Sequence, residues 1–341
     1  MALIPKQPGE LSPKNKFFNL RSLITIGLAL GFLYFILSRL DVNLGETWQN
    51  MRHASPGFYI LAFVVYYLSF PLRGWRWQLM LRNSGLNPVP SVWKLTHIIL
   101  LTFFTNCILY ARLGEPYRAY LLKQERGAGL SQTIGTIVAE RALDAVMIFL
   151  LLAIAGWELW RGQGSGPILA IGLAIVLVFV IFLILLRGLR QPLSRRLPPR
   201  LSNIYLTFHQ GALGSLRRLP LLNLQGLAIW ILEAGRLFFL AQALGVDLNP
   251  WLILFAAQAI GILSAIPFTP GGLGLVEPGV AGLLMTVLPR NDAWSLALLD
   301  RTISYLSLIV VGALLFILWE TRRIKKEAKE KENGGRRQPE G

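Results

Sequence analysis

The residues of this sequence that could do chemistry are arginines and carboxylates set inside or against apolar runs. Arg73 and Arg76 close the run VVYYLSFPLRGWR, Arg112, Glu115 and Arg118 sit in NCILYARLGEPYRAYLL, and Glu140, Arg141 and Asp144 interrupt a long apolar stretch. Downstream come Glu233 and Arg236, then Glu277, then the adjacent Asp300 and Arg301. An ionisable side chain within a membrane span costs roughly 2.5–3.5 kcal/mol on insertion scales and needs a partner or a wet cavity. Arginine grips phosphate oxygens with two parallel N–H donors, so a series of arginines makes a stepwise path for a phosphate-bearing group. Carboxylates beside them would neutralise the arginines between occupants and let them be handed over. The same charges also fit ion pairs that pin helices together, or, at Glu115, Glu140, Asp144 or Glu277, a general base. Glu140 and Asp144 share a helix face at i, i+4, and Glu233 and Arg236, at i, i+3, can pair with each other. Asn106 offers an amide either to a ligand or to freed backbone groups.

The elements that must hold these residues are membrane spans. Hydrophobic residues make up 54% of the chain, charged ones 15%, and the mean hydropathy is +0.51. Apolar runs lie near 22–38, 58–72, 93–110, 133–156, 168–186, 221–244, 251–288 and 296–319, and many approach the ~20 residues that cross a bilayer. No polar segment is long enough for a soluble domain with its own core. The expected organisation is a cytoplasmic N-terminal tail over 1–21, one transmembrane domain over 22–320 with halves near 22–160 and 165–320, and a basic tail over 321–341. The net charge of +16 falls in short clusters at run ends, a pattern that orients spans with their basic flanks in the cytoplasm. Nucleic acid is therefore not the expected partner. Both termini should be cytoplasmic, the basic tail meeting anionic lipid headgroups.

Cofactor chemistry has little to stand on. Cys107 is the sole cysteine, which excludes an intrachain disulfide and a thiolate metal cluster. His53, His97 and His209 are too scattered for a metal site, and Gly271-Gly272 is not followed by the Lys-Ser/Thr of a phosphate loop. No cofactor is expected.

Charge signs constrain the path of the chain. Basic stretches at 73–94, 112–126 and 187–218 all demand the cytoplasmic side, so 95–110 reads as a re-entrant hairpin from that side rather than a crossing. The run 251–288, broken by Pro267, Pro270, Gly271, Gly272 and Gly274, must then enter and leave from the outside. The expected fold class is an all-α polytopic membrane protein with about six full transmembrane helices and two re-entrant or broken hairpins. The halves read as inverted copies: Glu115-Pro116 matches Glu277-Pro278, Glu140-Arg141 matches Asp300-Arg301, and Arg73 and Arg76 match Glu233 and Arg236. Such repeats typify transporters whose binding sites lie near the bilayer midplane. Helices restarting near Gly114 and Gly274 would add N-terminal backbone donors to an anion site.

NCILYARLGEPYRAYLL, VAERALD and IPFTPGGLGLVEPGV together resemble the flippase-like membrane region of bacterial lysylphosphatidylglycerol synthases and its stand-alone relatives, over about residues 20 to 320. The family pattern often has Pro-Gly before Arg-Leu-Gly-Glu, where this chain has Tyr110-Ala111. The resemblance implies a multi-pass protein of the bacterial inner membrane that moves an anionic phospholipid or lipid-linked headgroup between leaflets. Its binding residues would be the arginines, acids and amide named above, with Pro270, Gly271 and Gly272 at the second turn. In complete synthases an aminoacyl-transferase domain follows this region, whereas this chain continues into a short Lys/Glu/Arg tail, so that activity is not implied. Two other readings stand beside it: a membrane-embedded lipid-modifying transferase, or an accessory subunit of a separate lipid synthase or glycosyltransferase.

Overall fold

The computed structural model describes residues 43–109, 111–161, 190–267 and 269–335, with single helical positions at 31 and between 170 and 188. The expected tail 1–21 and the runs 22–38 and 168–186 lie almost wholly outside the described residues. Those described are all-helical, without strands. In chain order the helices are α1 Leu44–Arg52, α2 Pro56–Asn83, α3 Val92–Ile108, α4 Gly114–Arg126, α5 Leu130–Leu159, α6 Arg190–Arg196, α7 Pro199–Ser215, α8 Leu219–Ala243, α9 Pro250–Ala265, α10 Val276–Leu284, α11 Arg290–Arg301 and α12 Leu308–Gly335. A 3-10 turn, Pro270–Gly272, lies between α9 and α10, and a π turn, Thr302–Ser307, joins α11 to α12.

Local chemistry sets several of these boundaries. Asn43 caps α1 by accepting from the Glu46 N–H, and Asn249 caps α9 by accepting from the Trp251 N–H. Proline occupies the first turn of α2, α7, α8 and α9, where its missing N–H is harmless. Gly127, left-handed at φ 65°, ends α4.

Among the described residues, three helical stretches are long and apolar enough to cross a membrane: Pro56–Asn83, Leu219–Ala243 and Arg290–Thr321. The chain is thus integral to a membrane. α5 has 30 residues but carries Glu140, Arg141 and Asp144 in its first half. α3 and α9 are apolar but have only 17 and 16 residues, about 25 Å at 1.5 Å per residue, short of the ~30 Å hydrocarbon layer.

Contacts sort the helix ends into two groups. At one end of the bundle Asn83 Nδ2 donates to the Ser215 and Arg217 carbonyls at 3.1 and 2.6 Å, Gln132 donates to the Ser84 carbonyl at 2.8 Å, and Lys94 pairs with Glu125 at 3.3 Å. At the other end the Ser55 N–H donates to the Ala243 carbonyl at 2.7 Å, and Asn50 donates to Asp292 at 2.9 Å. α2 and α8, which pack along each other, therefore run in opposite directions. The hairpin α3–α4 returns to the end from which it starts, as Lys94 and Glu125 show. α9–α10 does so at the opposite end, since α9 begins just after Ala243 and α10 leads into Asp292. The hairpins meet tip to tip, the Ala111 N–H donating to the Pro267 carbonyl at 3.0 Å.

The basic stretches at 73–94 and 112–126, expected as cytoplasmic segments, divide. α2 continues past residue 72 and buries Arg73 and Arg76, and α4 buries Arg118, while Arg82, Lys94, Lys123 and Arg126 remain exposed. Counting charge by position cannot see the carboxylates on other helices that make these three arginines stable inside. Around them lies a large apolar core, with Phe70, Trp77 and Trp294 among its fully buried side chains, and a smaller cluster of Met147, Ile148, Leu151 and Trp230 stands apart from it.

Candidate functional site

Where the two hairpin tips meet α2, α5, α8 and α11, the bundle holds a partly open cavity of about 300 Å³. Arg73, Arg112, Arg141, Arg236 and Arg301 line it, and Asp144 and Glu233 are the acids in its wall. Asn106, Ser264, Thr269 and Ser304 add amide and hydroxyl groups, and Phe103, Ile148, Trp230 and Ile260 supply apolar surface.

Each helix brings its charges to this point by spacing. Arg73 and Arg76, one turn apart on α2, face different carboxylates. Arg73 Nη2 lies 2.8 Å from Glu233 Oε1 on α8, and the other oxygen of Glu233 lies 2.5 Å from Arg236 Nη1. Arg236 Nε in turn lies 2.8 Å from Asp300 on α11, which also accepts from the Ser304 hydroxyl at 3.1 Å. The Arg236 guanidinium sits over the Tyr66 ring, 4.9 Å from its centroid.

A second group gathers on α5. Arg76 Nη2 is 2.6 Å from Asp144 and 3.4 Å from Glu140, while Arg118 Nη2 is 2.9 Å from Glu140. Arg118 also stacks on Trp77 at 3.7 Å. Arg141 Nη2 reaches both acids, at 3.0 and 3.2 Å. Glu140 and Asp144 thus serve three guanidinium groups.

The hairpin turns complete the site. In the second, Arg301 Nε is 2.7 Å from Glu277 and its Nη2 donates to the Gly271 carbonyl at 2.8 Å, while the other Glu277 oxygen accepts from the Gly274 N–H at 2.7 Å. In the first, Glu115 accepts from Asn106 Nδ2 at 3.2 Å and lies 3.6 Å from Arg112, whose Nη1 donates to the Ala265 carbonyl at 3.4 Å. Gly114 is where α4 restarts against α3: a Cβ there would stand 2.3 Å from the Thr102 carbonyl oxygen. Its N–H donates to Asn106 Oδ1 at 2.8 Å.

All the residues singled out in the sequence come to this one region, in two tiers. Arg73, Asn106, Arg112, Arg141, Asp144, Glu233, Arg236, Gly271 and Arg301 line the cavity. Arg76, Glu115, Arg118, Glu140, Glu277 and Asp300 stand behind them as partners, and Pro270 and Gly272 shape the second turn. Sequence reasoning missed Tyr66, Trp230, Ser264, Thr269, Ser304 and Tyr305. The π turn that brings Ser304 and Tyr305 to the site, just after Arg301, has no sequence signature, although such turns often mark functional sites. Tyr305 also ties the π turn to the first hairpin, its hydroxyl donating to the Cys107 carbonyl at 2.9 Å.

The wall presents five guanidinium groups and two carboxylates, and Glu115, Glu140, Glu277 and Asp300 pair with its arginines from behind, so the site is rich in donors and carries a net positive charge. Such a wall can bind an anion by bidentate, charge-assisted hydrogen bonds. Among the described residues no group of His, Cys, Asp and Glu could hold a metal ion.

The family model described as "Lysylphosphatidylglycerol synthase TM region" matches residues 22–312 of this chain. A UPF0104 membrane protein of Methanocaldococcus jannaschii is 30% identical over 67% of this chain and 99% of its own length. A UPF0104 membrane protein of Methanothermobacter thermautotrophicus is 24% identical over 88% of this chain and 94% of its own. The glycosyltransferase AglD of Haloferax volcanii is 26% identical over 86% of this chain, which spans only 54% of that protein. These three relatives are archaeal.

Proposed function

This chain belongs to the family of the lysylphosphatidylglycerol synthase TM region, and from that premise we propose that it is a translocator moving an anionic phospholipid or lipid-linked headgroup between leaflets. The observation that carries the proposal is the arginine-lined cavity in the core of a membrane-integral bundle. A charged headgroup cannot cross hydrocarbon unaided, and a cavity whose fixed charges replace its hydration removes much of that cost. Membrane lipids are then its partners.

The hairpins are read as re-entrant and the halves as inverted repeats. Several pairings support this. α3 packs on α12 as α9 packs on α5, and α1 packs on α11 as α7 packs on α5. The bundle end bearing Arg82, Lys94, Lys123 and Arg126 is read as cytoplasmic by its charge, and both termini are proposed to lie on that side. In such a repeat the halves exchange conformations as access alternates. Arg301 is closed onto Glu277 here, whereas Arg141 is engaged by Glu140 and Asp144, and Glu115 by Asn106. Exchange would close Arg141 onto Glu115 and free Arg301 for the headgroup.

The test is reconstitution into phospholipid vesicles with a fluorescent phosphatidylglycerol and a membrane-impermeant quencher. Protein-dependent loss of the protected inner-leaflet fraction, abolished by Arg141→Ala, is the expected result. No protein-dependent movement of any anionic lipid would sink the proposal. The relationship to a glycosyltransferase favours a second reading, a lipid-modifying enzyme or its subunit. On that reading Arg141→Ala changes the chemical composition of membrane lipids rather than their leaflet distribution.

A further inference from the structure

The cluster around the cavity carries an unmatched charge, and we infer from it that the ligand group is a single phosphodiester of one negative charge, held between Arg112 and Arg141. That the phosphodiester belongs to a lipid rests on the translocator reading; its charge does not. The ion pairs divide into groups of different balance. Arg73 and Arg236 share Glu233 and Asp300, Arg301 has Glu277, and Arg112 has Glu115, so each of these groups is neutral. Glu140 and Asp144, by contrast, must serve Arg76, Arg118 and Arg141. One positive charge is left over.

Burial locates it. The side chains of Arg76 and Arg118 are 1% and 2% exposed behind the wall, whereas that of Arg141 is 29% exposed and lines the cavity. Carboxylates engage only Nη2 of Arg141; its Nε is buried without a hydrogen-bond partner, as are those of Arg73, Arg76 and Arg118, so it is the exposure of Arg141 that sets it apart. Arg112, 31% exposed in the same cavity, meets its own carboxylate only at 3.6 Å. A buried charge without a counterion is strongly destabilising. One negative charge between these two guanidinium groups neutralises the cluster, while a diphosphate would over-compensate it and press against Asp144 and Glu233.

The experiment separates binding from movement. Purified protein in maltoside micelles is titrated with acyl-labelled phosphatidylglycerol, a labelled short-chain polyprenyl diphosphate, and, as soluble competitors, glycerophosphoglycerol and inorganic phosphate. Phosphatidylglycerol is expected to bind at least about tenfold more tightly than the diphosphate, with Arg141→Gln weakening it ~10–100-fold, as loss of charge-assisted hydrogen bonds does. Because that variant could misfold, Glu115→Gln serves as the second: it adds one positive charge to the cluster and should shift preference toward the diphosphate. Diphosphate binding equal to or tighter than phosphatidylglycerol in the native protein, or an unchanged preference in well-folded Glu115→Gln, overturns the inference while leaving the translocator reading intact. Phosphatidylglycerol binding with no movement in vesicles does the reverse. Glycerophosphoglycerol binding as tightly as the lipid supports the charge and overturns the lipid source.

Discussion

Arg73 on α2 and Glu233 on α8 form an ion pair at 2.8 Å across 160 residues of sequence, and the same shift of 160 carries Arg76 onto Arg236 and Glu140 onto Asp300. Arg76 and Glu140 are 64 residues apart, as are Arg236 and Asp300. On the proposed inverted repeat Arg73 would therefore bind its own counterpart, where α2 and α8 pack along each other. Arg73→Glu alone, or Glu233→Arg alone, should destabilise the fold by about 3–5 kcal/mol, the usual result of breaking a buried pair. The double exchange should regain most of that, because Arg76 and Arg236 stand in matching places to receive the swapped charges. Thermal unfolding in detergent reads this out; a double variant no more stable than the singles would argue against a seam between equivalent halves.

The hairpin turns extend the correspondence and yield an asymmetric pair of outcomes. Ala111 and Gly271, again 160 apart, are both left-handed, at φ 58° and 57°. An L-residue with a Cβ pays roughly 1–2 kcal/mol there. Ala111→Gly should therefore be neutral or stabilise by about 1 kcal/mol. Gly271→Ala should destabilise by at least about 2 kcal/mol, since a Cβ would also stand 2.8 Å from the Tyr305 ring. Melting temperatures of the two variants moving the same way would contradict these backbone roles.

Glu115 and Glu277 should matter alike for transport and differently for stability. Glu115→Gln and Glu277→Gln each remove a carboxylate from corresponding hairpins, so each should slow lipid movement to a similar degree. Glu277 is 1% exposed and 2.7 Å from Arg301, so its loss should cost about 3 kcal/mol or more. Glu115 is 20% exposed at its side chain and 3.6 Å from Arg112, a weaker contact worth about 1 kcal/mol. Full vesicle transport by both variants, at normal expression, would remove the cavity from the mechanism.

Much of this was legible in the sequence because charge inside apolar runs is conspicuous. The pairing of Glu233 with Arg236 and the shared face of Glu140 and Asp144 follow from helical spacing alone, and the breaks near Gly114 and at Pro270 to Gly272 from charge signs and helix-breaking residues. What sequence could not give is which arginines face the cavity. Arg76 and Arg141 have the same residue type and a similar apolar context, and only the positions of α5 and α2 in space put one behind the wall and the other in it. The basic stretch at 73–94 misleads for the same reason, since the partner that makes Arg73 stable inside lies on a helix 160 residues away. Ser304 and Tyr305 were invisible because an apolar run gives no sign of a π turn within it.

The direction of the first hairpin is the property on which the inverted repeat depends, and exposed single cysteines decide it. Lys94 and Glu125 pair at 3.3 Å, so the start of α3 and the end of α4 share one side of any membrane around this bundle. Lys123 and Asn203 are exposed near that end, and Gly57 and Asp247 near the other. In a Cys107→Ser background, Lys123→Cys and Asn203→Cys should react with a membrane-impermeant thiol reagent only after cells are opened. Gly57→Cys and Asp247→Cys should react in intact cells. A cysteine at position 57 fits because nothing lies within 4 Å of a Cβ there. Labelling of position 123 from outside, with position 203 protected, would mean that α3 crosses and α4 emerges on the far side. The two hairpins would then no longer be opposed, and alternating access by exchange of Arg141 and Arg301 partners would have no structural basis.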